Sequence, residues 1–288
     1  MPPRSSPTAR QQRLGAELRK LREASGIPAR EAGALLGGNQ AQISHLESGR
    51  WGISAERVRR LAVFYSASDS ALIDALCDIA EDRHKGWWDE YRGILPRGFL
   101  DIAEMEHYAS FIMSLQALTV PGTLQTPDYA RAIFGGALPP LPERELEARV
   151  EHRMKRRSIL ERGTPTPFEA VIHEAALRMR YGGRAVARAQ LDYLLEAAEM
   201  PSVTVRVIPF STEKYNGWGQ SVLYADGPVP QLDTVQLDSA YGPAFLDAGA
   251  QLASYRAVFE ATRHVSLSPL QSQRSHSQHR EGNVRATA

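Results

Sequence analysis

Residues 26–65 of the chain read GIPAREAGALLGGNQAQISHLESGRWGISAERVRRLAVFY. Apolar-periodic stretches alternate there with Gly, Asn and Ser, the pattern of brief amphipathic helices joined by tight turns. Pro28 suits the first turn of a helix over residues 28–36, where a missing N–H costs nothing, and Gly37–Gly38 stop it. Asn39 is a good N-cap for a further helix running to about Ser48, which Gly49 closes. Ile43 and Leu46 fall on the inner face of that helix, so Gln40, Ala41, Gln42, Ser44 and His45 face outward. A Gln side chain offers a donor and an acceptor and can match an adenine edge in bidentate fashion. His45 can donate to guanine or to a phosphate, while Ser44 and Arg50 suit backbone contacts that position without specifying. Gly33 sits where the two helices should cross, and its lack of a side chain permits close approach. This is what a helix-turn-helix needs in order to place a helix in a major groove. The candidate DNA-contacting set is Asn39, Gln40, Ala41, Gln42, Ser44, His45 and Arg50.

Outward from that stretch, Leu14, Leu18 and Leu21 recur at helical spacing over residues 10–25, and Gly26 ends that helix. Ser54 caps a fourth helix to Tyr65 with Val58, Leu61 and Ala62 inward. A fifth, over residues 69–81, carries Leu72, Ile73, Leu76 and Ile79 as its stripe. Near His84 the texture changes, and EDRHKG before Trp87 and Trp88 reads as a domain boundary. The expected organisation is an arm over residues 1–9, a five-helix, all-α helix-turn-helix domain over 10–83, a second domain over 84–265 and a disordered tail over 266–288.

In the second domain, helices are expected over residues 99–111, 127–134, 143–162, 183–200 and 249–263. Strand signals rich in β-branched and aromatic residues fall at 168–172, 203–209, 221–224 and 234–237. The expectation is an α+β body with a small, mostly antiparallel sheet, making the whole chain α+β.

Charge divides along the same line. Residues 1–70 hold 11 Lys and Arg against 6 Asp and Glu, the remainder 23 against 27, so a basic head precedes a mildly acidic body in a chain of net charge +1. The single Cys77 excludes an internal disulfide and fits a reducing compartment. No apolar run approaches the ~20 residues a membrane span needs, and MPPRSSPTARQQR lacks the hydrophobic core of a secretion signal. A cytoplasmic protein without membrane partners is expected.

The first five helices resemble the Xre or lambda-repressor-like helix-turn-helix family, and GNQAQISHLESGR over residues 38–50 matches its recognition-helix signature. The resemblance implies that Glu47 pairs with Arg22 of the first helix and so fixes the recognition helix at its end. The chain departs from the family at Ala29, where a Gln is usual, and at Gly38, where an aliphatic residue is. Specificity then rests more heavily on Gln40 and His45. Further on, VPGTLQTPDYARAIF (120–134), HEAALRMRYGG (173–183), QLDYLLEAAEMPSVTVRVIPF (190–210) and the Trp87–Trp88 pair resemble a second element. It is a domain of uncharacterised function that follows this helix-turn-helix in many actinobacterial, antitoxin-like regulators. That resemblance implies a body that senses a small partner protein or a small ligand, and it brings no catalytic residues with it.

Several local constellations bear on chemistry. Thr126 can cap the helix that Pro127 opens, and Gln125 and Tyr129 are placed to line a crevice beside that N-terminus, where a ligand carboxylate would be favoured; the alternative is a capped helix packed on the sheet. Tyr215, Trp218 and Tyr224 surround a Gly-rich loop that reads equally as a ligand lid, a partner epitope or a hairpin over a core. Gln125, Tyr129 and Trp218 are therefore the candidate ligand or partner residues. His173–Glu174 resembles the start of a zinc-protease helix, but Leu177 stands where the second His belongs. His264, His276 and His279 could hold a metal only loosely. The run Arg149, Arg153, Lys155, Arg156, Arg157 could touch phosphate, but such a run is more often a solvated face, here paired with Glu147, Glu151 and Glu161. No nucleophile elbow, phosphate loop or dinucleotide fingerprint occurs, so no enzyme, metal or cofactor is expected. The expected function is sequence-specific transcription regulation by a homodimer on a palindromic operator in double-stranded DNA. The alternative is an antitoxin-like interaction protein that neutralises a small partner.

Overall fold

The computed structural model describes residues 7–215, 219–239, 242–269 and 271–272. The chain divides into two compact units, one running to Gly86 and taking in Pro228–Leu232, the other comprising the rest.

The first unit is all-α: α1 (Ala9–Ser25), α2 (Ala29–Leu35), α3 (Gln40–Glu47), α4 (Ala55–Phe64) and α5 (Ser70–Glu81). Local chemistry sets most ends. Thr8 and Gln11 form a reciprocal capping box at the start of α1. Asn39, Ser54 and Asp69 cap α3, α4 and α5 through side-chain oxygens. Pro28 lies at the N-cap of α2, one position before the first turn assigned to it above. One apolar cluster joins all five helices, with Leu18, Ala32, Ile43, Val58, Leu61 and Leu76 nearly fully buried. Cys77 belongs to it, its thiol directed at Ala55 O (3.6 Å), as the apolar stripe implies. Leu232 enters the same cluster, Gln231 Nε2 donates to Asp69 Oδ2 (2.6 Å), and Gln231 O accepts from Arg13 Nη2 (2.5 Å).

The second unit is α+β. Its elements are α6 (Arg97–Tyr108), β1 (Phe111–Gln116), α7 (Pro127–Gly135), α8 (Glu143–Lys155), α9 (Ser158–Glu161) and β2 (Phe168–His173). There follow α10 (Glu174–Arg178), α11 (Arg184–Ala197), β3 (Val203–Ile208), β4 (Val222–Asp226), β5 (Thr234–Ser239), β6 (Gly242–Leu246) and α12 (Gly249–Val265). The strands form one six-stranded sheet in the order β3-β2-β1-β4-β5-β6. β1, β2 and β3 run parallel, joined by helical crossovers, and β4, β5 and β6 add to β1 as antiparallel neighbours. Three of the five pairings are antiparallel, so the sheet is mixed with an antiparallel majority. Successive side chains serve opposite faces. Ile112, Ala170, Ile172, Val205 and Val207 pack with Leu191 and Leu194 of α11 on one face. Met113, Leu115, Val171, Tyr224 and Val235 pack with Leu252 and Phe259 of α12 on the other.

Two strands were not expected. The helix expected over residues 99–111 ends at Tyr108, and β1 starts at Phe111. Every residue of β1 after the first is buried, the polar Ser114 and Gln116 included, so the strand has no buried/exposed alternation to reveal it. β6 contains Gly242 and Pro243, residues depleted in strands, and it holds because it pairs only with β5 at the sheet edge. Where a disordered tail is expected to begin at Ser266, Leu267 and Ser272 are packed. Leu267 N donates to Val207 O (2.8 Å), and the buried Ser272 Oγ accepts from Val207 N (3.0 Å), so this segment satisfies the outer edge of β3. His276 and His279 lie outside the described residues.

Candidate nucleic-acid interface

The turn between α2 and α3 is built from backbone bonds: Gly37 N donates to Ala34 O (3.0 Å) and Gly38 N to Gly33 O (2.8 Å). This reversal brings α2 so close to the start of α3 that a Cβ on Gly33 would stand 2.6 Å from the carbonyl carbon and oxygen of Asn39. Only glycine allows that approach. A second close approach was not foreseen: a Cβ on Gly15 of α1 would stand 2.5 Å from the carbonyl oxygens of Leu46 and Glu47. In the sequence, a lone Gly inside the leucine-periodic α1 was the available signal.

At the end of α3, Arg22 grips Glu47 in a two-pronged pair, Nε to Oε1 at 2.5 Å and Nη2 to Oε2 at 3.0 Å. Arg22 Nη1 also donates to Ile27 O (3.2 Å). The hydrogen bonds that Arg22 donates to Glu47 raise its pKa, so the guanidinium stays charged although nearly buried. Burial pushes the neighbouring Tyr65 hydroxyl up to about 12, with the Glu47 charge adding to the effect, so it remains a neutral phenol. Gly15, Gly33 and the Arg22–Glu47 pair thus fix both ends of α3.

Ile43 and Leu46 point inward, and Asn39, Gln40, Ala41, Ser44 and Arg50 are exposed. The Asn39 side chain is occupied, accepting from Gln42 N at 3.1 Å, and Ser44 Oγ donates to Gln40 O at 3.2 Å. Gln42 is half-buried and folds its amide over Gly38, filling the space an aliphatic residue there would take. His45 is also half-buried and stacks on Trp51, ring centroids 5.2 Å apart at 26°. Gln40 is therefore the freest amide on this face, and His45 a ring braced from behind.

In the second unit the sequence expectations fare differently. Gln125 and Tyr129 do not line an open crevice. Gln125 is buried, its Nε2 donating to Val120 O (2.7 Å) and its Oε1 accepting from Arg153 (2.7 Å). Tyr129 is 1 % exposed, and its hydroxyl accepts from Val120 N (3.3 Å). The expected crevice is filled by these hydrogen bonds, as in the alternative of a helix packed in place. Thr126 takes the N-cap position of α7 without a side-chain cap bond. Trp218 lies outside the described residues.

The arginine run is no solvated face. Arg156 pairs with the fully buried Glu106 at 2.6 and 2.7 Å, and Arg157 donates to Gln125 O. Burial lowers the Arg153 pKa, and its guanidinium lies over the Phe134 ring at 4.6 Å. Only Lys155 among them makes an expected pair, with Glu151 at 3.5 Å. Arg149 pairs with Glu145 one turn back (2.6 Å), whereas Glu106 and Gln125, the partners of Arg153, Arg156 and Arg157, come from chain too distant for helical spacing to reveal. His173 Nδ1 caps α10 by accepting from Ala175 N (3.1 Å), and Glu174 pairs with Arg178 and accepts from Phe210 N (2.8 Å). No group of three His, Cys, Asp or Glu side chains among the described residues could hold a metal ion. No described helix is long and apolar enough to cross a membrane.

Comparison with known proteins agrees with this division. A family model described as a helix-turn-helix domain matches residues 13–76, which contain α2, α3 and their turn. That match points to a DNA-binding regulator. No curated protein and no solved structure matches the chain. A second family model, a domain of unknown function (DUF5753), matches residues 99–275 and so covers more than half of the chain. The protein belongs to the DUF5753 family.

Proposed function

We propose that this protein is a non-enzymatic, cytoplasmic transcription regulator of the Xre-like, antitoxin-like type. A head over residues 10–83 reads a palindromic operator as a homodimer, and a body over 84–265 senses a small ligand or partner protein. One observation carries the reading of the head: α3 is held at both ends while its outer face stays uncovered by the rest of its unit. In that arrangement Gln40 and His45 reach base edges, with discrimination of about 1–3 kcal/mol for a good bidentate contact. Asn39 presents a helix N-terminus to phosphate, while Ala41 offers a methyl contact. Gln42, Ser44 and Arg50 position the helix on the backbone. Two-fold pairing matches the half-sites of a palindrome.

The test is a competition gel shift after selection of the operator from random oligonucleotides. The Gln40→Ala, His45→Ala double variant is expected to lose preference for the operator while keeping salt-sensitive, non-specific binding. Unchanged preference would remove α3 as the reading element.

A further inference from the structure

The face of the sheet that packs on α12 carries a polar cluster near the start of β2 and β3. There Glu169, Thr204 and Arg206 stand on neighbouring strands, with Glu169 in register with Thr204 and Val171 with Arg206. Arg263, near the end of α12, completes the group. Together they line a cleft of about 390 Å³, within the range of small-molecule sites. Phe111 and Pro201 supply apolar walls, and Ser202 adds a hydroxyl.

The polar groups are unevenly matched. Glu169, 5 % exposed, accepts from Arg206 Nε at 2.9 Å, from Arg263 Nε at 2.8 Å and from Arg263 Nη2. Arg263 spends its remaining nitrogen on the exposed Glu260 (Nη1, 2.5 Å), and its Nη2 also touches Met113 Sδ (3.2 Å). Arg206 makes only its Nε bond, and its two terminal nitrogens hydrogen-bond to none of the described residues. Arg263 is thus matched by Glu169 and Glu260, while Arg206 is held by Glu169 through its Nε alone. One planar fork, anchored through Nε, keeps its outer donors available inside a part-apolar cleft.

We propose that this cleft binds a small organic carboxylate, whose two oxygens pair with Arg206 Nη1 and Nη2 while its apolar body lies against Phe111 and Pro201. A guanidinium fork matches the geometry of a carboxylate, and the two outer donors of Arg206 can take both of its oxygens. The Thr204 and Ser202 hydroxyls are at hand for further hydrogen bonds. This gives a chemical class to the ligand in the sensing role proposed above, and no step of it depends on DNA recognition.

Phenylacetate and its uncharged isostere phenylacetamide are suitable probes, titrated into the full chain by calorimetry and by saturation-transfer NMR. Phenylacetate is expected to bind saturably at millimolar concentrations, and phenylacetamide about tenfold more weakly or worse. Arg206→Gln should weaken phenylacetate about tenfold without changing the melting temperature greatly, and Arg206→Lys, which keeps the charge but not the fork, should fall between. Absence of saturable phenylacetate binding, or equal binding of the amide, overturns the proposal without recourse to any variant. Undiminished phenylacetate binding to a folded Arg206→Gln protein overturns it as well. The readout is ligand binding itself, so such a failure leaves the operator-reading assignment untouched.

Discussion

Gly33→Ala sets two opposing effects against each other. In an isolated helix the change would stabilise by up to ~1 kcal/mol, because Ala is the better helix former. Here the new methyl would stand 2.6 Å from the Asn39 carbonyl carbon and oxygen, where ordinary contact begins near 3.4 Å. The obstacle is backbone, which cannot rotate aside, so α2 and the start of α3 must part by most of an ångström. Overpacking of this kind costs about 1–3 kcal/mol, and the net expectation after a propensity gain of ~1 kcal/mol is a loss of roughly 1 kcal/mol, in a range of about 0–2 kcal/mol. The displacement falls at the residue before Gln40. Hydrogen bonds tolerate only about half an ångström in length, so base contacts from α3 should weaken more than the fold does. Gly37→Ala is the control. Gly37 has φ +71° with nothing within 4 Å of a Cβ, so Ala there costs ~1 kcal/mol of backbone strain without pushing α3. Urea unfolding and gel-shift affinity for the selected operator would be measured on both. The expected result is comparable destabilisation, with specific affinity falling more than about tenfold for Gly33→Ala alone. A Gly33→Ala protein more stable than the parent, or one binding the operator as tightly as Gly37→Ala, would refute the reasoning.

Two further outcomes follow from buried charge. His152, 1 % exposed among Trp87, Tyr91 and Phe99, is held neutral by burial, with neighbouring arginines adding to the effect, at a pKa of about 3 against 6.5 for a free imidazole. The unfolded chain therefore takes up the proton first, so this stability is complete above pH 6.5 and drains as pH falls from 6.5 toward 3. Between pH 7 and pH 5 the loss is about 2 kcal/mol. His152→Phe should remove that share of the pH dependence of urea unfolding, and an identical slope in the variant would show that the buried ring is not the source. Glu47→Ala strands Arg22, whose side chain is 13 % exposed, and should cost about 2–4 kcal/mol. Removing both partners with Arg22→Met and Glu47→Met should cost less than Glu47→Ala, as a thermal-melting comparison would reveal. A double variant that melts lowest would argue against a coupled pair.

The first unit was readable from short-range chemistry. Its five helices each carry an apolar stripe, and Asn39, Ser54 and Gly26 mark ends by interactions that stay within a few residues. The outward set on α3 followed from 3.6-residue periodicity alone. Charge bias and a glycine-punctuated turn pointed the same way, which is why the helix-turn-helix was legible before any coordinate. Most strands of the second unit were legible too, where β-branched residues cluster as in β3.

What local chemistry could not reach was every feature made by chain brought together from afar. β1 is hidden because a strand buried on both faces has no alternation to display. Gln125 and Tyr129 sit at an apparently open helix start, and only packing showed that Val120 and Arg153 consume their polar groups. The arginine run looked solvated because its counter-charge, Glu106, lies 50 residues from Arg156. The carboxylate cleft joins residues 169, 206 and 263 by strand register and helix docking. Periodicity reports which side of an element is buried; it carries no information about what the other elements bring to meet it.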